Sequence, residues 1–345
     1  MNQSELTSVA RQLVAEGKGI LAADESTGTI TRRFKAVGVE SSEDTRRAYR
    51  EMLFTAPGIE SHLSGVILYD ETIRQDSSTG TPVREILSAK GILPGIKVDT
   101  GAKPLALFPG ETITEGLDGL RERIAEYVEM GAKFAKWRAV ITIGRDEDTG
   151  VRTPTPYAIR ANAQAMARYA ALCQEGGLVP VVEPEVLIDG DHTIQRSEEV
   201  TTEVLWTTFD ELAAHHVLLE ALLLKPSMVI SGTKAVERAN AQAVATATIR
   251  TLRRTVPPAV PGVVFLSGGQ TPEQATEHLS LMNQMEDLPW EVSFSYARAL
   301  QGPAMEAWRG KAGNVAQAQQ LFYQRVRLAG AARMGAYRAS MEARA

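Results

Sequence analysis

Apolar positions along the chain gather into eight short runs: GILAAD (19–24), GVILYD (65–70), GIKVD (95–99), FAKWRAV (134–140), LVPVVEPEV (178–186), LLLKPSMVI (222–230), VVFLSGG (263–269) and EVSFSY (291–296). Most are continuous in Val, Ile and Leu rather than strictly alternating, which is the pattern of strands buried on both faces. The stretches between them read as helices. SEDTRRAYREMLF (42–54) opens with Ser, Asp and Thr and stops at Ala-Pro-Gly. Thr271 suits an N-cap, Pro272 the first helical position, and Gln274 completes a capping box. LDGLRERIAEYVEMGAK and PYAIRANAQAMARYAALCQEGG carry apolar residues at helical spacing and end in glycine. Eight strands alternating with helices predict an α/β fold: a single-domain (β/α)8 TIM barrel over residues 1–345, with an N-terminal helix and a C-terminal helical tail. The competing arrangement is an open doubly wound sheet. No fixed-period repeat or low-complexity linker interrupts the pattern. GRDEDTGVRTPTP (144–156) reads as a polar surface loop, and the small-residue stretch from about 330 to 345 as a helix fraying into a mobile tail.

Charged residues fall inside these apolar runs. Side chains two apart on a strand share a face, so Lys97 pairs with Asp99, Lys136 with Arg138, Glu183 with Glu185, and Lys225 with Ser227. Asp24 ends the first run and Arg298 follows the last. A single such pair reads as a solvated strand terminus. Recurrence on five or six strands points instead to convergence at the carboxyl-terminal mouth of a barrel, where barrel enzymes place their sites. Three lysines, two arginines and at least three carboxylates would meet there, a set suited to an anionic substrate and proton transfer.

Lys225 stands out within ALLLKPSMVI (221–230). Lysine is seldom fully buried, so it either reaches solvent or is held inside for chemistry. Neighbouring cations and apolar walls disfavour its charged form, and a neutral amine attacks a carbonyl to form an imine. Pro226 restricts the Lys225 backbone and removes a ladder donor, which predicts a bulge or strand end there. Glu183 and Glu185 supply carboxyl groups for the several proton transfers an imine mechanism needs. Lys136 is placed to keep a neighbouring carboxylate ionised or to stabilise an oxyanion, and Asp24 to accept a substrate hydroxyl.

Two stretches read as phosphate cradles. In LSGGQ (266–270), Ser267, Gly268 and Gly269 follow the seventh strand, where glycines let backbone N–H groups approach an anion. Arg298 adds a charged fork. In DESTGTITRRF (24–34), Ser26, Thr27, Thr29 and Arg33 surround a helix start. The plainer readings are a Gly-Gly turn and ordinary helix capping.

The remaining composition narrows the classes. Net charge is −5 and no basic tract appears, so nucleic acid is not an expected partner. No apolar run approaches the ~18 residues of a membrane span. The start carries acidic residues and lacks a signal-peptide core, and the lone Cys173 cannot form an intrachain disulfide. A cytoplasmic location is expected. The five histidines show no i, i+4 ligand pair and no Cys-rich motif occurs, so no metal and no cofactor is expected.

Taken jointly, GKGILAADESTGT, GVILYDET, GIKVD, FAKWRAV, LVPVVEPEVLIDGDH, LLKPSMV, RRTVPPAVPGVVFLSGGQ and FSYARALQ resemble class I fructose-bisphosphate aldolase over nearly the whole chain. The resemblance implies metal-free imine chemistry on a sugar phosphate, fructose 1,6-bisphosphate, cleaved reversibly to dihydroxyacetone phosphate and glyceraldehyde 3-phosphate. It implies Lys225 as the Schiff-base lysine, Glu183 as acid–base group, Asp24 near the C4 hydroxyl and Lys136 as assistant in carbinolamine chemistry. Ser267, Gly268, Ser295 and Arg298 correspond to the ketone-side phosphate region. Lys97, Ser26 and Arg33 correspond to the other phosphate, and Arg138 and Glu185 to charged neighbours. A homo-oligomer, a tetramer in the family, is implied as well. Two departures stand out: FSYARAL has Ala297 where the family often has glycine, and the chain lacks the terminal tyrosine of animal members.

Overall fold

A computed structural model describes residues 2–145 and 150–344. Eight parallel strands form the barrel: β1 (Gly19–Ala23), β2 (Leu63–Leu68), β3 (Leu93–Lys97), β4 (Phe134–Ile141), β5 (Val179–Val186), β6 (Leu223–Leu224), β7 (Gly262–Phe265) and β8 (Glu291–Tyr296). Each pairs with its neighbours in chain order, and β1 closes the ring on β8. Parallel neighbours require crossover connections, and helices pack around the ring to provide them. The closed barrel, not the open sheet, is therefore the architecture.

Strand alternation divides the lumen into two halves. Towards the amino ends of the strands, Ile20, Ala22, Ile67, Phe134, Val179, Val181, Leu223 and Val264 form one buried apolar cluster with Leu6, Ala10, Leu13 and Val14. The last four belong to the helix Gln3–Leu13 and its C-cap, and Asn2 starts that helix by accepting from the Glu5 N–H. This helix plugs the lower opening. Close approach at this layer demands glycine: a Cβ at position 65 would meet Leu13 at 2.8 Å, and one at position 262 would meet Val14 at 2.5 Å. Two residues further along each strand, the same inward face turns polar: Asp24 after Ala22, Lys136 after Phe134, Glu183 after Val181 and Lys225 after Leu223. The outward faces join the larger core between strands and helices.

The helix signals read from sequence are realised. Ser42 and Thr45 form a capping box, as do Thr271 and Gln274, and Pro272 opens the helix Pro272–Asn283. Thr155 caps Pro156–Gly176, which ends on Gly177 at φ 90°. The run 222–230 yields a strand of two residues that ends next to Lys225-Pro226, as the missing N–H of Pro226 predicts. One feature differs from expectation. Antiparallel pairs, Gly101–Pro104 with Thr112–Glu115 and Gly144–Arg145 with Arg152–Thr153, occupy stretches without a strand expectation, the second in the anticipated loop. The final helix runs Val315–Arg333, and a 3-10 helix spans Ala339–Arg344, where Glu342 pairs with Arg325 at 2.7 Å. Among the described residues no helix is long and apolar enough to cross a membrane.

The lower lumen provides a stability test. A Cβ at position 95 would lie 2.3 Å from the Phe134 ring. Gly95→Ala is expected to lower the free energy of unfolding by about 1–3 kcal/mol, as overpacking does, read as a lower urea midpoint at unchanged m-value.

Candidate active site

The carboxyl ends of the strands open into a cleft of about 690 Å³, and all thirteen residues to which the resemblance assigns a place in the site line it. Lys225 is 3% exposed, so it is held inside and does not reach solvent. Its N–H donates to the Val182 carbonyl at 2.8 Å, which extends the β5–β6 pairing one residue past the strand. Ser227, expected on the same face, is turned away: its hydroxyl donates to Val186 O at 2.7 Å.

The central feature is a chain of alternating buried charges. Lys136 Nζ lies 2.6 Å from Asp24 Oδ2 and 3.2 Å from Glu183 Oε2, and the other oxygen of Glu183 lies 3.3 Å from Lys225 Nζ. Burial alone would lower the affinity of Lys136 for its proton, but Asp24, Glu183 and Asp99 outweigh it and raise its pKa. For Asp24 burial pushes the pKa up, and the charges of Lys136 and Lys225 more than reverse it, holding the carboxyl well below the ordinary carboxylate range. Further pairs surround this chain. Lys97 Nζ meets Asp99 at 2.6 Å, Arg138 pairs with Glu185, and Arg33 pairs with Glu25. Ser295 Oγ is buried in the cleft without a hydrogen-bond partner, an arrangement that points to a group completed by a ligand, and Glu183 Oε2 makes no hydrogen bond beyond its ion pair with Lys136.

Both anticipated cradles sit on the cleft wall. Gly268 and Gly269 have φ 53° and 82°, left-handed values that a side chain rarely adopts. They turn the chain between Ser267 and Gln270, and a Cβ on Gly269 would lie 3.6 Å from the Arg298 guanidinium. After β1, Ser26 occupies the N-cap position of the helix Thr27–Ala36 but makes no capping hydrogen bond. Its hydroxyl contacts Thr29 Oγ1 at 3.3 Å, so simple capping does not account for it.

The family profile described as fructose-bisphosphate aldolase class-I matches residues 5–345. The chain is 52% identical to a probable class 1 fructose-bisphosphate aldolase of Xanthomonas campestris, covering 98% of this chain and all of that protein. It is also 52% identical to the cytosolic fructose-bisphosphate aldolase 6 of Arabidopsis thaliana, covering 97% and 92% respectively. The chain belongs to the class I fructose-bisphosphate aldolase family. The aldolase of Plasmodium falciparum, solved with TRAP and a small-molecule inhibitor, superimposes with a TM-score of 0.94 at 45% identity, covering 97% of this chain and 95% of that one. The activity is therefore that of a metal-independent lyase acting on fructose 1,6-bisphosphate in glycolysis, with the Schiff-base mechanism of its family. Among the described residues no group of three or more His, Cys, Asp or Glu side chains is arranged to hold a metal ion.

In this class I aldolase the cleft holds more charged groups than the resemblance assigned: seven basic side chains and five carboxylates line it, Arg32, Glu25 and Asp99 among them. Asp99 accepts from the N–H groups of Gly101 and Arg138 while pairing with Lys97; its shared face with Lys97 was the available signal. Glu25 sits one residue past Asp24, where alternation points it away from the lumen. It receives Arg33 on one side and Gln301 Nε2, at 3.0 Å, on the other. Nothing in the local pattern around Gln301 marks it. Ala297 takes φ −106°, so the backbone at this position does not require glycine.

Replacing Lys136 by Met leaves Asp24 and Glu183 buried without their shared cation. A loss of about 3–5 kcal/mol is expected in urea unfolding, together with activity. The Asp24 contribution is present above its ordinary value of 3.8 and fades as pH falls through its depressed folded value. That of Lys136 is present below 10.5 and fades as pH rises through its raised value. The difference between wild type and variant should therefore be flat between those limits and shrink on either side.

Proposed function

We propose that Lys225 is the residue that forms the Schiff base, with Glu183 as its proton shuttle and Lys136 and Asp24 as electrostatic partners. The observation that carries this reading is the placement of a buried Lys225 Nζ 3.3 Å from Glu183, at the mouth of the barrel. Glu183 takes a proton from the Lys225 ammonium, and the free amine attacks the C2 ketone. The proton returns to the carbinolamine oxygen, water leaves, and an iminium remains. Lys136 stabilises the oxyanion formed on the way.

For C3–C4 cleavage a base must take the C4 hydroxyl proton. Asp24 is held ionised so strongly that it binds a proton weakly; it serves as hydrogen-bond acceptor for that hydroxyl. Glu183 is then the base, acting through its buried Oε2, which makes no hydrogen bond and has the Lys136 ammonium at 3.2 Å. As the bond breaks, the electron pair passes into the iminium and leaves an enamine, while glyceraldehyde 3-phosphate departs. Protonation and hydrolysis release dihydroxyacetone phosphate. The ketone-side phosphate is assigned to Ser267, Gly268, Ser295 and Arg298, and the distal phosphate to Ser26, Arg33 and Lys97, which orients the open-chain sugar between two fixed ends. Arg138 and Glu185 brace the wall between them. A cytoplasmic location is supported by the cytosolic Arabidopsis relative, and a homotetramer by the family resemblance.

Incubation with dihydroxyacetone phosphate followed by borohydride should leave a stable adduct on Lys225, mapped by mass spectrometry. No adduct, or one on another lysine, rejects the assignment. Glu183→Gln should retain substrate binding and lower kcat by roughly 10²–10⁴-fold, the usual range for removal of a general acid–base group.

A further inference from the structure

Behind the ketone-side turn lies a buried polar pair that the mechanism does not use. Gln270 ends the turn, and His278 lies on the helix that follows; both are buried. The Ser267 carbonyl accepts twice from Gln270: from its backbone N–H at 3.0 Å and from its side-chain Nε2 at 3.0 Å. The same Nε2 reaches Met228 Sδ at 3.5 Å, and Gln270 Oε1 lies 2.6 Å from His278 Nδ1.

Donor and acceptor identities fix this array. A carbonyl oxygen only accepts, so Ser267 selects the amide orientation that presents Nε2 to it. Gln270 Oε1 then faces His278 and must receive a proton, which requires the imidazole to carry hydrogen on Nδ1. In the reverse orientation two oxygens would oppose each other at 3.0 Å. Burial, helped by the charge of Arg238, lowers the His278 pKa to about 4, so the neutral ring with its single proton on Nδ1 is the form present at neutral pH.

We infer that His278 is a positioning residue for the ketone-side phosphate: acting through Gln270, it locks the Ser267–Gly268–Gly269 turn in the shape that points its N–H groups and the Ser267 hydroxyl into the cleft. The need for a lock is evident in the turn itself, because two successive glycines are the least restrained backbone available. Without the Nδ1 donor, the Gln270 amide is free to flip, and the turn loses one of the two bonds to Ser267 O. The inference rests on the assignment of this turn to the ketone-side phosphate.

The test compares His278→Leu and His278→Asn with the wild-type enzyme on fructose 1,6-bisphosphate and fructose 1-phosphate, which share that phosphate and differ at the other end. His278→Leu should raise KM for both substrates by the same factor, about five- to tenfold for one lost hydrogen bond, with kcat within about twofold of wild type. Asparagine retains an amide donor near the position of Nδ1, and His278→Asn should restore KM to within about twofold. In parallel, ¹⁵N NMR of the histidine-labelled wild-type enzyme should place the proton on Nδ1 of His278. The NMR measurement stands whether or not the variants fold. Wild-type KM values in His278→Leu, equal losses in both variants, or a proton on Nε2 would each overturn the inference. Absence of the wild-type borohydride adduct on Lys225 would instead reject the functional assignment, and the tautomer result remains readable in that case.

Discussion

The buried ammonium of Lys136, shared between Asp24 and Glu183, is the interaction on which the upper half of the barrel depends. At an effective dielectric of ~20, charges ~4 Å apart attract by about 4 kcal/mol, while removing each ion from water costs several kcal/mol. The cluster is thus close to balanced as a source of stability. What it does supply is geometry. Asp24 follows β1, Lys136 lies on β4, Glu183 on β5, and Lys225 directly follows β6. Since β1 is not a neighbour of β4 or β5 in the ring, the Asp24–Lys136 pair reaches across the lumen where no backbone hydrogen bond can. Removing either inner charge, Lys136 or Glu183, leaves an end group without its ion-pair partner, so the chain is held through its two middle members.

A cluster that contributes little net stability requires a foundation that contributes more. The lower lumen provides it. Phe134, Val181 and Leu223, two residues before Lys136, Glu183 and Lys225, are completely buried in an apolar layer closed by the N-terminal helix. Burial of such side chains is worth roughly 1.5–3 kcal/mol each. One strand periodicity therefore serves two purposes. The same inward face that packs hydrocarbon at the bottom carries the reactive groups at the top, so the charges are held by the strand segments whose lower ends are least able to move.

This division also explains how much was legible in the sequence. Eight apolar runs and the charges embedded in them were enough for the barrel and for the convergence of Lys97, Lys136, Glu183 and Lys225, because period-two alternation places i and i+2 on one face wherever the chain is a strand. The resemblance added chemical roles. Short antiparallel pairs such as Gly101–Pro104 with Thr112–Glu115 escaped, since Pro104, Pro109 and Gly110 break the pattern that marks strands. Glu25 and Gln301 escaped for a different reason. Their partners lie on other elements, and a buried hydrogen bond between residues 276 positions apart leaves no local signature. For Lys225 the sequence correctly indicated burial, yet the group in direct contact is the Glu183 carboxylate and not the neighbouring ammonium groups.

These distant contacts have a consequence for how the cleft measures its ligand. The helix Arg298–Trp308 begins with Arg298, beside the Ser267–Gly269 turn, and one helical turn later presents Gln301. Gln301 donates to Ala22 O at 2.6 Å and to Glu25 at 3.0 Å, and accepts from the Tyr49 hydroxyl at 3.0 Å. Glu25 in turn holds Arg33. The arginines assigned to the two phosphate ends are thereby connected through a single rigid helix and one buried carboxylate, with β1 as the common anchor. Among the described residues Arg298 forms no ion pair, whereas Arg33 is paired with Glu25 in the free protein. The first is open to an arriving anion, and the second must share its charge with a carboxylate that is already there. A ligand with phosphates at both ends can satisfy both conditions at once, while the fixed framework between them sets the length of chain that fits.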